Sequence, residues 1–178
     1  MKAYFQKIKG SATPPPRGGS EDVLLGVLGS AAALLLVCIL HSLFVEAAAL
    51  PLLIAPFGAS VALIFGAPKS PLAQPRNVIF GHAISALAGV TAYKLAGGSE
   101  MAAICLAVPL AIGLMQLTGT MHPPGGATAF LAVAGGEGVH SLGYWYVLAP
   151  CIAGSILMIL VALVVNNISP RQRYPLFW

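Results

Sequence analysis

Charge is what this sequence has least of. Only 8 % of its 178 residues are Asp, Glu, Lys or Arg, while 58 % are hydrophobic. Soluble domains carry about 25 % charged residues, so the shortfall excludes a water-soluble globular domain. The acids are Glu21, Asp22, Glu46, Glu100 and Glu137, and none lies within a long apolar run. Cation carriers usually place carboxylates inside the bilayer. Cysteine is also scarce: Cys38, Cys105 and Cys151 are odd in number, far apart and set in apolar runs. That excludes a disulfide framework, and the three read as small apolar packing residues. His41, His82, His122 and His140 show no close ligand spacing, so no metal site, cofactor or enzymatic activity is expected. No basic face interleaved with aromatics exists, which excludes nucleic acid as a partner.

What is present is apolar length. Residues 23–40, 47–66, 78–96, 101–116, 117–134 and 144–165 are each candidates to cross a bilayer, which takes ~20 mostly apolar residues. The polar, proline-rich stretch 1–22 reads as a flexible cytoplasmic tail. A signal peptide would place its short apolar core earlier, so 23–40 reads as a retained first span. Tyr144, Trp145 and Tyr146 suit an interface belt. The membrane domain is expected over 23–168, with a cytoplasmic tail over 169–178.

Two of the six stretches are interrupted. Pro51, Pro56 and Gly58 break the second; "GTMHPPGGATAF", residues 119–130, breaks the fifth. Residues before proline avoid the helical region, so 118–123 is expected to be extended. Six extended residues cover ~19 Å at ~3.2 Å each. A helix over 124–134 adds ~16 Å, and the sum of ~35 Å suffices for a ~30 Å hydrocarbon core. A re-entrant hairpin is the competing geometry.

The interruptions repeat. "PFGASVALIFG" from Pro56 and "PGGATAFLAVA" from Pro124 both read Pro-x-Gly-Ala-[Ser/Thr] and then an apolar run. Pro56 pairs with Pro124, Gly58 with Gly126, Ala59 with Ala127 and Ser60 with Thr128. The fold expected is all-α: about six membrane segments as two inverted three-segment repeats with broken helices. The alternative is four spanning helices plus two re-entrant half-helices. Six crossings put Lys2, Lys7, Lys9, Arg17, Lys69, Arg76, Arg171 and Arg173 on one side, which the positive-inside rule makes cytoplasmic. Both termini are then cytoplasmic in a multi-pass cell-membrane protein.

Each Pro-x-Gly-Ala-[Ser/Thr] resembles a helix start. Proline suits the first turn, glycine allows close approach, and the first amides lack intrahelical partners. Such an end attracts a small anion. The candidate substrate-binding residues are therefore Pro56, Gly58, Ala59, Ser60, His122, Pro123, Pro124, Gly125, Gly126, Ala127 and Thr128. Three plainer readings compete. The Pro-Pro-Gly-Gly run could be a simple loop, the hydroxyls could bond only their own helices, and His122 could bridge backbone groups. His82 falls near the cytoplasmic end, where it could face headgroups. Arg76 and Asn77 would anchor their helix at the interface.

"MHPPGGATAF", with "PFGAS", "FGAPKSPLAQPRN" and "NNISPRQRYPLFW", resembles the HPP family of integral membrane proteins, named for the triplet seen here as His122-Pro123-Pro124. The resemblance runs from about residue 50 to residue 178. It implies four membrane-spanning helices by the family's usual description. It also implies nitrite transport, the activity linked to plant members in the chloroplast envelope and to cyanobacterial relatives. The expected ligand is thus a small anion: nitrite, or nitrate or another monovalent anion. The bilayer is the other expected partner, and a homo-oligomer is compatible with so small a chain. The rival function is a non-transporting membrane sensor or scaffold that binds the same anion.

Overall fold

The computed structural model describes residues 7–8, 12–14, 16–48 and 52–178, with the side chains of 45–48 left aside. Helix α1 runs over Ser20–Ala48, α2 over Pro56–Gly66, α3 over Pro75–Leu95, α4 over Glu100–Leu117 and α5 over Pro123–Ala134. The single turn α6, Glu137–His140, and a stretch over Val147–Ile152 that kinks at Ala149 (φ −131°, ψ 117°) lead into α7, Ala153–Val165. Among the described residues there is no strand. Four stretches are long and apolar enough to span a bilayer: Ser20–Phe44, Pro75–Leu95, Glu100–Leu117 and Val147–Val165. The short helices α2 and α5 have 11 and 12 residues.

Several expected boundaries move. α1 begins at Ser20 because Glu21 and Asp22 occupy its first turn, where acids complement the helix's positive end. The tail expected over 1–22 therefore gives its last three residues to α1; residues 1–6, 9–11 and 15 lie outside the described residues. α1 also continues past residue 40 to Ala48. The stretch 47–66 is not one helix. Leu52–Ile54 are non-helical, and coiling resumes at Pro56, whose missing N–H costs nothing in a first turn.

The six extended residues expected over 118–123 shrink to about three. α4 closes on Gly119, whose φ of +64° is left-handed. The Gly119 amide bonds the Gln116 carbonyl at 3.2 Å, and the Thr120 amide bonds the Met115 carbonyl at 2.9 Å. This is a Schellman closure, which glycine permits. Only Thr120–His122 remain irregular, and α5 starts at Pro123, one residue before the expected start.

Side-chain bonds sort the helix ends into two groups. At the first end, Asn166 Nδ2 donates to the Ile64 carbonyl at 3.1 Å, Arg76 to the Thr118 carbonyl at 2.9 Å, and Gln172 to Asp22 at 2.8 Å. Arg171 also pairs with Glu21 here. At the second end, the Tyr93 and His140 rings stack 3.8 Å apart, and Lys94 lies over the Tyr144 ring. Tyr144 and Trp145 are exposed, but Tyr146 is buried, so the expected belt loses its third member.

α1 exposes Leu24, Leu28, Leu35 and Leu43. A helix apolar around its whole girth has lipid for solvent when protein does not cover it. α3 holds the interior. Its small residues Gly81, Ser85 and Gly89 lie against α5 and the turn before it: a Cβ on Gly89 would meet the Ala129 carbonyl at 2.6 Å, and one on Gly125 would meet Ser85 Oγ at 2.6 Å. Small residues let membrane helices approach this closely. The cysteines divide: Cys151 is buried and packs as expected, whereas Cys38 and Cys105 are exposed and do not.

Candidate functional site

The two short helices both begin inside the bundle, against the middle of α3. α2 opens with Pro56, and one turn later Ser60 points inward, fully buried. α5 opens with Pro123 and Pro124, and Thr128 is likewise fully buried. Between these hydroxyls stands His82 of α3, also with no exposed surface. Its Nε2 lies 2.8 Å from Ser60 Oγ, and its Nδ1 lies 2.7 Å from Thr128 Oγ1. The two equivalent positions of the sequence repeat thus bind opposite nitrogens of one imidazole.

His122 completes the cluster. It stands at the N-cap position of α5 in an extended conformation, φ −141° and ψ 101°. Its Nε2 is 3.0 Å from Ser60 Oγ, and its Nδ1 is 2.8 Å from the Leu72 carbonyl. Its ring centroid is 5.0 Å from that of His82. Gly81 makes room: a Cβ there would fall 2.5 Å from His122 Cβ. Phe57 closes one side of His82, edge-on at 5.3 Å, and the Tyr146 hydroxyl reaches the Thr128 carbonyl at 3.4 Å.

Donor roles follow from one fixed acceptor. The Leu72 carbonyl can only accept, so His122 Nδ1 carries a proton. In a neutral ring Nε2 is then an acceptor, and Ser60 donates to it at 3.0 Å in preference to its own-helix acceptor, the Pro56 carbonyl at 3.3 Å. Having spent its proton, Ser60 Oγ accepts from His82 Nε2. A neutral His82 then accepts at Nδ1 from Thr128. The assignment comes from bonding partners, as proton positions in such networks do. The result is a single-file chain in which every donor points toward Leu72.

The expected site residues do not all face this junction. Pro56, Ser60, His122, Pro124, Gly125 and Thr128 are buried, and Gly126 is half-buried. Gly58, Ala59, Pro123 and Ala127 face outward. Three of the helix-start amides are not free either. Those of Phe57 and Gly58 bond the Ile54 and Ala55 carbonyls at 3.0 and 3.1 Å, and that of Gly125 bonds the His122 carbonyl at 2.8 Å. The side-chain chemistry at the junction is hydroxyl and imidazole. Among the described residues, no three His, Cys, Asp or Glu side chains group as metal ligands.

Three residues have roles that the sequence alone does not assign. His82 is the hub of the cluster rather than a headgroup contact; its being one of few titratable residues in an apolar run was the signal. Arg76 and Asn77 grip the turn before α5 instead of only anchoring α3: Arg76 takes the Thr118 carbonyl and Asn77 the Met121 carbonyl, both at 2.9 Å.

The model of the HPP transmembrane region matches residues 15–175. The chain belongs to the HPP family. Two transmembrane proteins of Dictyostelium discoideum are each 41 % identical to it across 98 % of the chain. The chain spans 57 % and 63 % of those relatives' own lengths. No solved structure matches it. The HPP triplet, His122-Pro123-Pro124, has a physical sense here. Its histidine stands at the N-cap position of α5 with its ring in the buried cluster, and its prolines fill the first turn, where two amides would otherwise lack acceptors.

Proposed function

We propose that this HPP protein is a membrane transporter for a small monovalent anion, nitrite first, acting at the junction where α2 and α5 begin. One observation carries the reading: Ser60 and Thr128, equivalent in the repeat, meet on the two nitrogens of His82. Broken helices from inverted repeats, meeting within the membrane, are a transporter architecture.

Chain direction supports six traversals. Leu52 sits beside His41, deep along α1, while Ile64 reaches the first end; residues 52–66 thus run the depth of the bundle. Residues 118–134 run from Arg76 at the first end to Val133, which bonds His140 at the second. The first end gathers Lys69, Arg76, Arg171 and Arg173, and the positive-inside rule makes it cytoplasmic. A cleft of about 770 Å³ opens there between α1 and α2, lined by Lys69 and Arg171 together with Asp22 and the apolar side chains of Val23, Val27, Val61 and Phe65.

The test is nitrite uptake into proteoliposomes. Saturable uptake above that of protein-free vesicles, lowered in Ser60→Ala and Thr128→Val proteins that remain folded, supports transport at this junction. Unchanged flux in both variants removes these residues from the site. Saturable binding with no flux favours the sensor or scaffold reading.

A further inference from the structure

We propose that the chain His82–Ser60–His122, entered where Thr128 swings aside, is a proton relay, and that this protein carries its anion together with a proton. The inference rests on the transporter reading and adds the coupling ion and its path.

Charge balance gives the reason. An isolated anion loses several kcal/mol on entering a low-dielectric interior unless a positive charge meets it. Among the described residues, no Lys, Arg, Asp or Glu is buried. The helix-start amides at Phe57, Gly58 and Gly125 are already bonded to carbonyls. The polar groups facing His82 are Ser60 from α2, Thr128 from α5 and His122 from the turn before it, with Tyr146 behind Thr128. None of them is a fixed cation. The positive charge available to an anion here is a proton on imidazole.

The bonding allows that proton to move. One arriving at His82 Nδ1 makes the ring an imidazolium, and the Thr128 hydroxyl turns to its other partner, the Pro124 carbonyl at 3.4 Å. The His82 Nε2 proton passes to Ser60 Oγ while the Ser60 proton passes to His122 Nε2. His122 Nδ1 then releases its proton on the Leu72 side. One proton enters and one leaves, and only N–H and O–H bonds change. Afterwards His122 Nδ1 and the Leu72 carbonyl are two acceptors 2.8 Å apart, so they must separate. Proton exit is thereby tied to opening of the short 3₁₀ turn Pro71–Ala73, which carries Leu72.

The experiment uses the whole protein in liposomes with a trapped pH dye, potassium gradients and valinomycin to set the membrane potential, and nitrite as probe. Protein-free vesicles supply the leak of nitrous acid for subtraction. The expected result is lumenal acidification by one proton for each nitrite taken up, at a rate unmoved by membrane potential. His82→Gln keeps hydrogen-bonding capacity but cannot carry a proton, and it should lose both movements together. Uptake accelerated by an inside-positive potential, without protein-dependent acidification, overturns the relay while leaving the transporter reading intact. No uptake above protein-free vesicles removes both.

Discussion

Ser60 Oγ lies 2.8 Å from His82 Nε2, and neither residue has any surface exposed. The contact ties a helix that begins inside the bundle to the helix at its centre. A buried imidazole that loses a partner bears the desolvation cost of the orphaned nitrogen, about 1–3 kcal/mol. Ser60→Ala and Thr128→Val should each destabilise the protein by that amount, read as a lower thermal unfolding midpoint in detergent. An unchanged midpoint in both would mean that the hydroxyls do not satisfy His82.

Gly81 should tolerate no side chain. Its Cβ would meet His122 Cβ at 2.5 Å and the Thr120 carbonyl at 3.0 Å, where α3 abuts the turn before α5. Gly81→Ala is expected to cost about 1–3 kcal/mol, the usual range for overpacking, and to reduce transport by displacing His122. Gly113→Ala is the control, since nothing lies within 4 Å of the added carbon. Equal unfolding midpoints for the two variants would contradict the packing described.

The C-terminal segment should act as a latch on the turn that holds His122. The Tyr174 hydroxyl donates to the Ala73 carbonyl at 2.7 Å, and the Leu176 amide donates to Gln74 Oε1 at 2.7 Å. Leu72, the acceptor for His122, lies between these anchors and Ser70. Tyr174→Phe removes one buried bond, worth about 1 kcal/mol, and should speed proteolysis within 67–74. Cleavage at the wild-type rate would separate the latch from the turn.

The same tyrosine sets a pH dependence. Burial pushes its phenol above the usual tyrosine value. Below pH about 10 the phenol is protonated in both folded and unfolded chains, so its contribution is constant. Above that pH the unfolded chain ionises first, and stability falls as pH rises. Unfolding midpoints measured across alkaline pH should decline, and Tyr174→Phe should remove the Tyr174 share. An identical decline in the variant would contradict a buried, bonded phenol.

The Arg171–Glu21 pair is different. Its side chains are 76 % and 41 % exposed, so water and salt screen it. Arg171→Ala should shift stability by under about 1 kcal/mol. A larger loss, persisting at high salt, would show that the pair holds α1 to the C-terminal segment.

Much of this arrangement was legible in the sequence. The prolines announce where α2 and α5 begin, because proline fits a first turn and little else in a helix. The Pro-x-Gly-Ala-[Ser/Thr] repeat identified Ser60 and Thr128 as equivalent, and the fold gives them one shared partner. The role of His82 was hidden because the short helices begin level with it rather than at a bundle end, which depends on how residues 52–55 and 118–122 turn. Gly119 carries the signal for one of those turns, a left-handed helix stop within a stretch that the following prolines mark as extended. The occupied amides of Phe57, Gly58 and Gly125 were hidden for a related reason. Their acceptors are carbonyls of the preceding turn, which composition and spacing do not locate.

Nitrite uptake measured for wild type, Ser60→Ala, Thr128→Val and the double variant, with folding checked in each, bears most directly on the idea of one shared junction. Residues acting through a common partner give non-additive losses. Expected is a double variant no slower than the worse single variant, because either change alone unseats His82. Losses that multiply independently, or flux untouched in all three variants, would contradict a single site formed by the starts of α2 and α5.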